Sequence, residues 1–458
     1  MRRGAVPAAA VGAWLIVGPA PAALAHGLGG RVDLPVPRWL FVFGAATALV
    51  VSFVALSALW TEPRFEGRAR RRATANFIQA MLTNRVLEWV VRFVSLAMFC
   101  VVVYASTLRA ASTETIGPVI VFVWFWVGLA IVHSLFGNWW ATLSPLDTLG
   151  RLMLLDYSES WPPRAYPKAW GTWPAAILLF GFVWIELVDP FRDRPGTLGL
   201  LILLYAVVTV AGMSVFGRKS WVENGEAFAV YLGLLAAMAP FARDERGRVV
   251  LRPPLSGLAE IAPRPGLLAL VMIALGSTTF DGVSRTSWWT DLTGTLDGLA
   301  RLLAGTAGLI GVILAVTLAY TIAMMAAGVL TGDHWHVVAV RFAHSLVPIV
   351  FAYVVAHYFS FLVLEGQIGL ANLSDPFGYG WDLFGTGRWT VNLALLSATL
   401  IWYVQVAAIV AGHVGGVVSA HDRAIGAYGT RVGLKTQYAL LGVMVVFTAT
   451  GLLILSGG

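Results

Sequence analysis

The sequence predicts an all-α fold, a polytopic transmembrane helical bundle of about ten spans plus one short re-entrant or tilted helix. Three observations carry this. Of 458 residues, 58% are hydrophobic and only 12% charged, about half the charge of a soluble protein. The 19 Trp and 48 Gly suit a chain that meets the lipid–water boundary and packs its helices closely. Apolar segments of spanning length, about 20 residues each, recur along the chain. The net charge of +7 is explained by arginines that set topology and touch anionic lipid, so no nucleic-acid partner is indicated.

The first 25 residues read as an export signal: Arg2 and Arg3, an apolar run to Val17, prolines at 19 and 21, and a small-x-small pattern at 23–25. Cleavage there would leave His26 at the head of one membrane domain, 26–458. Spans are expected near 39–60, 88–108, 116–136, 172–188, 197–216, 266–281, 303–330, 337–364, 391–413 and 436–456. The lone cysteine, Cys100, lies within an apolar run and has no internal disulfide partner.

Arginine and lysine in short loops set orientation. The loop after the first span holds Arg64, Arg68, Arg70, Arg71, Arg72 and Arg85, so it is predicted inside and the mature amino terminus outside. The connections 137–171, 217–219 and 414–435 then also fall inside. One conflict is informative. Arg243, Arg246, Arg248, Arg252 and Arg264 mark 242–264 as inside too, although only the apolar segment 226–240 separates it from Arg218 and Lys219. Fifteen helical residues reach about 22 Å, short of the roughly 30 Å hydrocarbon core. That segment is therefore expected to enter and return, or to tilt within the bundle.

Ionisable groups inside a bilayer are costly, so they face the bundle interior and mark candidate sites. Glu186 and Asp189 end the 172–188 span three residues apart on one face, and Asp281 ends the 266–281 span at the same level. The stretch FAHSLVPIVFAYVVAHYFSFLVLEGQ brings Glu365 and Gln367 to that side, with Tyr353, His357 and Ser360 in one helical stripe. Pro348 is expected to kink it. Carboxylates and imidazoles so arranged suit a divalent metal ion, which would turn bound water into a hydroxide nucleophile, or a metal-free proton relay. Glu186, Glu365, His357 and Asp281 are the candidate catalytic residues; His26, His357 and Asp189 are the candidate metal ligands. A mature N-terminal His26 would offer both an amine and an imidazole nitrogen to such an ion. His344, Glu226 and His413 are further polar candidates, with helix capping the simpler role for Glu226. In the 333–336 cluster DHWH, Asp333 suits an N-cap, and His334 and His336, two apart, cannot share one metal from a regular helix.

No Walker loop, HExxH, CxxC or nucleophile-elbow GxSxG is present, and neither is an arginine ladder nor a TVGYG filter. The combination AHGLGGRVDLPVP, FGNWWATLSP, WVENGEAFAVYLGLLAAMAP, GSTTFDGVSRTSWW and the 342–367 stretch followed by NLSDPFGYGWDLFG resembles a family of bacterial polytopic membrane proteins labelled fenitrothion hydrolase. The resemblance implies a bacterial inner (cytoplasmic) membrane protein that hydrolyses a small lipophilic organophosphate triester reached through the lipid bilayer; it transfers no catalytic residue. Three readings stand side by side: phosphotriester hydrolase, secondary transporter of a small substrate or ion, and exported-side copper or metal-handling protein.

Overall fold

The structure, a computed structural model, describes residues 37–65, 72–108, 115–153, 164–192 and 194–457. The export-signal segment and His26 lie outside the described residues. The rest is a helical bundle. We label α1 Arg38–Leu59, α2 Arg85–Leu108, α3 Ile116–Phe136, α4 Pro145–Leu152, α5 Trp173–Leu187, α6 Pro195–Phe216, α7 Arg218–Asn224, α8 Ala227–Ala236, α9 Leu267–Ser284, α10 Gly298–Thr331, α11 Trp335–Ser374 and α12 Ala398–Gly457. Among the described residues, eight helices are long and apolar enough to cross a membrane, and α5 and α8 are shorter apolar helices. The chain is thus a multi-pass membrane protein built from helices, as the composition demands.

Burial identifies the centre. The apolar windows of α9 and α11 are 78% and 67% enclosed, against 11% for α2. α2 therefore faces lipid, while α9 and α11 are surrounded by other helices. α3 is π-helical over Val119–Gly128, a widened form often found at functional sites. There Trp126 stacks on Tyr231 of α8.

Four expectations need correction. The 391–413 span begins at Ala398 instead, and the 414–435 connection is helical: α12 runs on to Gly429, whose φ of 71° breaks it before the chain turns back. Glycine tolerates that backbone region at no steric cost. Pro348 does not kink a helix midway. It occupies the first turn of the regular helix Val347–Ser374, where its missing N–H costs nothing, after a 3₁₀ turn at Ala343–Leu346. His334, not Asp333, caps the start of α11, while Asp333 accepts hydrogen bonds from Arg341 and Tyr428. Finally, the fold includes a small antiparallel sheet with strand order β1–β3–β2: β1 Arg72–Ala73, β2 Phe241–Arg243 and β3 Val249–Leu251. The β2–β3 turn passes through Gly247, with φ of 76°.

That sheet bears on the topology conflict. β1 lies in the loop after α1, so its pairing with β3 places 242–264 at the same end of the bundle as that loop. Arg264 donates to the Glu223 carbonyl and to Asn224 Oδ1, which brings the start of the short segment to that end as well. Arg252 donates to the carbonyls of Ala236, Ala237 and Ala239 and fixes its far end there. Between these, Glu226 meets Tyr205, 11 residues before the end of α6, or about 16 Å along the helix. The chain enters as α7, turns at Gly225–Glu226 and returns as α8. Cysteines placed singly at Glu62 and Arg246, both exposed, are expected to react with a membrane-impermeant maleimide from the same side. Labelling from opposite sides would overturn this topology.

Candidate functional site

The central helices gather polar side chains at one level. Asp281 lies 14 residues into α9 and Glu186 13 residues into α5, each about 20 Å from the end where both helices start. Those starts are held together by the Thr172 N–H, which donates to the Pro265 carbonyl. Asp281 and Glu186 are buried. The Tyr358 hydroxyl of α11 donates to Glu186 Oε1 at 3.3 Å and lies within hydrogen-bonding reach of Asp281. A phenol has one proton to donate, so it serves one carboxylate at a time. Arg285, one turn beyond Asp281, donates Nε and Nη2 to Asp281 Oδ1 at 3.1 and 2.8 Å. Its side chain is 37% exposed, so it leads from the buried pair to the bundle surface. Arg192 donates to the Glu186 carbonyl.

His357 is buried on the same layer. A Cβ added to Gly282 would lie 3.0 Å from His357 Nε2; the glycine after Asp281 is what lets the imidazole approach. Tyr353 is the next ring, 6.5 Å from His357 between centroids, and His413 of α12 is 6.2 Å from Tyr353. Room for the Tyr353 hydroxyl comes from Gly451, where a Cβ would stand 2.3 Å from it. Polar side chains thus succeed one another from the Arg285 edge to His413 in the core, with ring-centroid spacings of 6.5 and 6.2 Å over the last two steps.

The candidates do not all belong to it. Glu186, Asp281 and His357 come together, and His413 joins them through Tyr353. Glu365 is half-buried, and among the described residues no hydrogen bond or ion pair ties it to the others. It sits eight residues beyond His357, or about 12 Å along the helix. Asp189 accepts the Phe191 N–H and closes its own turn. Among the described residues no three His, Cys, Asp or Glu side chains converge on one point that would hold a metal ion. His344 turns the other way, with Nδ1 donating to the Arg341 carbonyl. Glu226 caps α8 by accepting the Phe228 and Ala229 N–H groups, and its remaining capacity is taken by Tyr205 and by Trp140 Nε1.

Tyr358, Arg285 and Arg192 escape a reading of spans. Arg285 falls just past a span end, although its i,i+4 spacing from Asp281 is a visible pairing signal. Tyr358 looks like ordinary aromatic core, and only the fold shows that its hydroxyl meets two other helices.

A second buried polar centre lies at the arginine-rich end. Asp147 of α4 pairs with Arg92 of α2 at 3.0 Å, with Arg151 at 2.9 Å, and with Arg218 of α7. Ser144 caps α4 by accepting the Asp147 N–H. Burial pushes the Asp147 carboxyl up, but its bonds to Arg151 and Arg218 outweigh burial and hold it below the usual carboxylate range. Nearby, Asp422 accepts the N–H groups of Arg64 and Phe65 and the indole of Trp60, which pins the loop after α1 to α12.

The fold and this site define a multi-pass membrane protein with ionisable groups packed among its central helices. No family model, curated protein or solved structure matches the chain.

Proposed function

We propose that this protein is a secondary transporter of ten spans and one re-entrant hairpin, α7–α8, and that the Glu186–Asp281–Tyr358–Arg285 cluster is its substrate or ion site. One observation carries the reading: two carboxylates from different helices meet a single tyrosine hydroxyl from a third, inside the bundle. Such a layer is costly in a membrane and gives no packing advantage over apolar side chains. It also changes its hydrogen bonding when one proton or cation arrives, and so couples α5, α9 and α11. The short helix α5 and the α7–α8 hairpin, which breaks at Gly225–Glu226, match the way transporters build midplane sites. The arginine-rich end faces the cytoplasm by the positive-inside bias.

The hydrolysis implied by the family resemblance would use the same carboxylates to activate water against phosphorus. The two readings separate by experiment. Purified protein in proteoliposomes on a solid-supported membrane is challenged with small organic acids, bases and inorganic cations. A transient current absent from Glu186→Gln vesicles is expected. Nitrophenolate release from a nitrophenyl phosphotriester, lost in the same variant and with no current for any challenge, would replace the transporter by a hydrolase.

A further inference from the structure

Five histidines lie buried within the apolar helices α3, α11 and α12, at 133, 344, 357, 413 and 421, and their partners differ. His421 is held on both nitrogens, by Gln437 Oε1 and the Trp60 carbonyl. His133 is committed on both nitrogens: Nδ1 donates to the Leu129 carbonyl at 2.6 Å and Nε2 accepts the Trp140 N–H at 2.7 Å. His344 is bonded at the Arg341 carbonyl. His413 is different. Its Nδ1 lies 2.8 Å from the Ile409 carbonyl, which can only accept, so Nδ1 carries the ring proton. Nε2 is then a bare lone pair, and it is fully buried with no hydrogen-bond partner among the described residues. An unmet acceptor in the core costs about 1–3 kcal/mol, a cost that an arriving proton donor would relieve. Its nearest rings are Tyr353 and Phe447. The Tyr353 hydroxyl is itself weakly held, 3.4 Å from the Phe447 carbonyl. His357, on the far side of Tyr353, makes no side-chain hydrogen bond among the described residues.

We infer that the coupling ion is a proton and that His357, Tyr353 and His413 carry it from the carboxylate pair into the inner half of the bundle. This rests on the transporter reading. A proton leaving the Asp281–Glu186 pair binds His357. His357 passes a proton to the Tyr353 oxygen as that hydroxyl releases its own to Nε2 of His413. Release of that proton from His413 Nε2 to water on the inner side, and rotation of the Tyr353 C–O bond, then reset the relay, and no bond between heavy atoms changes. Ring centroids 6.2–6.5 Å apart leave gaps that one water, or a small rotation of the Tyr353 hydroxyl, would bridge. Of the other titratable groups on the packed elements, α12 contributes Tyr403 and, toward the arginine-rich end, His421, Asp422 and Arg423, of which His421 is bonded to Gln437 and the Trp60 carbonyl and Asp422 to the loop after α1. α9 contributes Asp281 and Arg285, α5 contributes Glu186, and α10 holds only Arg301 and Tyr320, the latter bonded to the Ala339 carbonyl. α1 has none between Phe41 and Trp60.

The test uses the full chain in proteoliposomes containing a trapped pH dye, with a potassium diffusion potential, inside negative, and no organic substrate. Wild-type vesicles are expected to acidify faster than protein-free ones. Tyr353→Phe and His413→Gln, each checked for a monodisperse elution profile, are expected to lower that rate on the order of 10²-fold, the scale of a lost proton-transfer group. His336→Gln, at an exposed position outside the series, should match wild type. Wild-type flux equal to the protein-free rate, or both relay variants conducting like wild type, would overturn the inference. A substrate current that persists in His413→Gln would remove the proton route and leave the transporter standing. Proton flux lost in His413→Gln, with no substrate current for any challenge, would do the reverse.

Discussion

Asp147→Ala is expected to destabilise the protein by about 3–5 kcal/mol, the cost of leaving buried charge without its partner. Arg92 is 2% exposed, and among the described residues its second acidic partner is Glu88, itself 43% exposed. Arg218 would lose the Asp147 carboxylate as well. Asp147 joins α2, α4 and α7, so its loss should loosen the arginine-rich end and the entry of the α7–α8 hairpin together. Asp147→Asn keeps the shape and should still cost most of that energy, because the missing charge is what balances the arginines. Unfolding in mixed micelles of rising dodecyl sulfate content measures both variants. The pH dependence has a definite sign. The folded carboxyl titrates below its ordinary value, so its contribution is complete above roughly pH 4–5 and is lost as pH falls further. Wild type and Asp147→Asn should therefore converge in stability on acidification and differ most at neutral pH.

Glu186→Gln is expected to have the opposite profile, with a large loss of function and little loss of stability. The amide oxygen still accepts from Tyr358, so the fold should shift by no more than about 1 kcal/mol. The amide cannot take up a proton or pair with a cation, so transport should fall on the order of 10²-fold or more. Asp281→Asn differs, because it also strips Arg285 of the carboxylate that holds both its Nε and Nη2; it should lose function and some stability together. Initial rates of substrate-driven current, paired with unfolding midpoints, separate these outcomes. A Glu186→Gln protein that unfolds early and transports normally would mark Glu186 as a structural residue.

The helices themselves were legible because a bilayer demands long apolar runs, and those runs are plain in the chain. The 242–264 conflict was legible too, since five arginines set against a segment too short to cross left few geometries. Glu186, Asp281 and His357 could be grouped because level in a membrane helix follows from residue counting. Glu365 shows the limit of that method. Counting places it at the outer end of α11, but it lies eight residues beyond His357 and has no tie to the cluster. Tyr358 shows the complementary limit, because an aromatic residue in an apolar helix carries no mark of what its hydroxyl meets. Asp147 falls in the 137–171 connection, where a carboxylate carries no mark of its partners, and its role depends on Arg92 and Arg218, 55 and 71 residues away. The strands of two or three residues are too short for periodicity to reveal.

The most direct test of a shared site is a double-mutant cycle on Glu186 and Tyr358. Transport rates are measured for Glu186→Gln, Tyr358→Phe and the double variant in the same vesicles. If the carboxylate and the hydroxyl act as one unit, the double variant should be little slower than the worse single variant. Losses that simply multiply would show that the two residues act independently and would contradict the central claim.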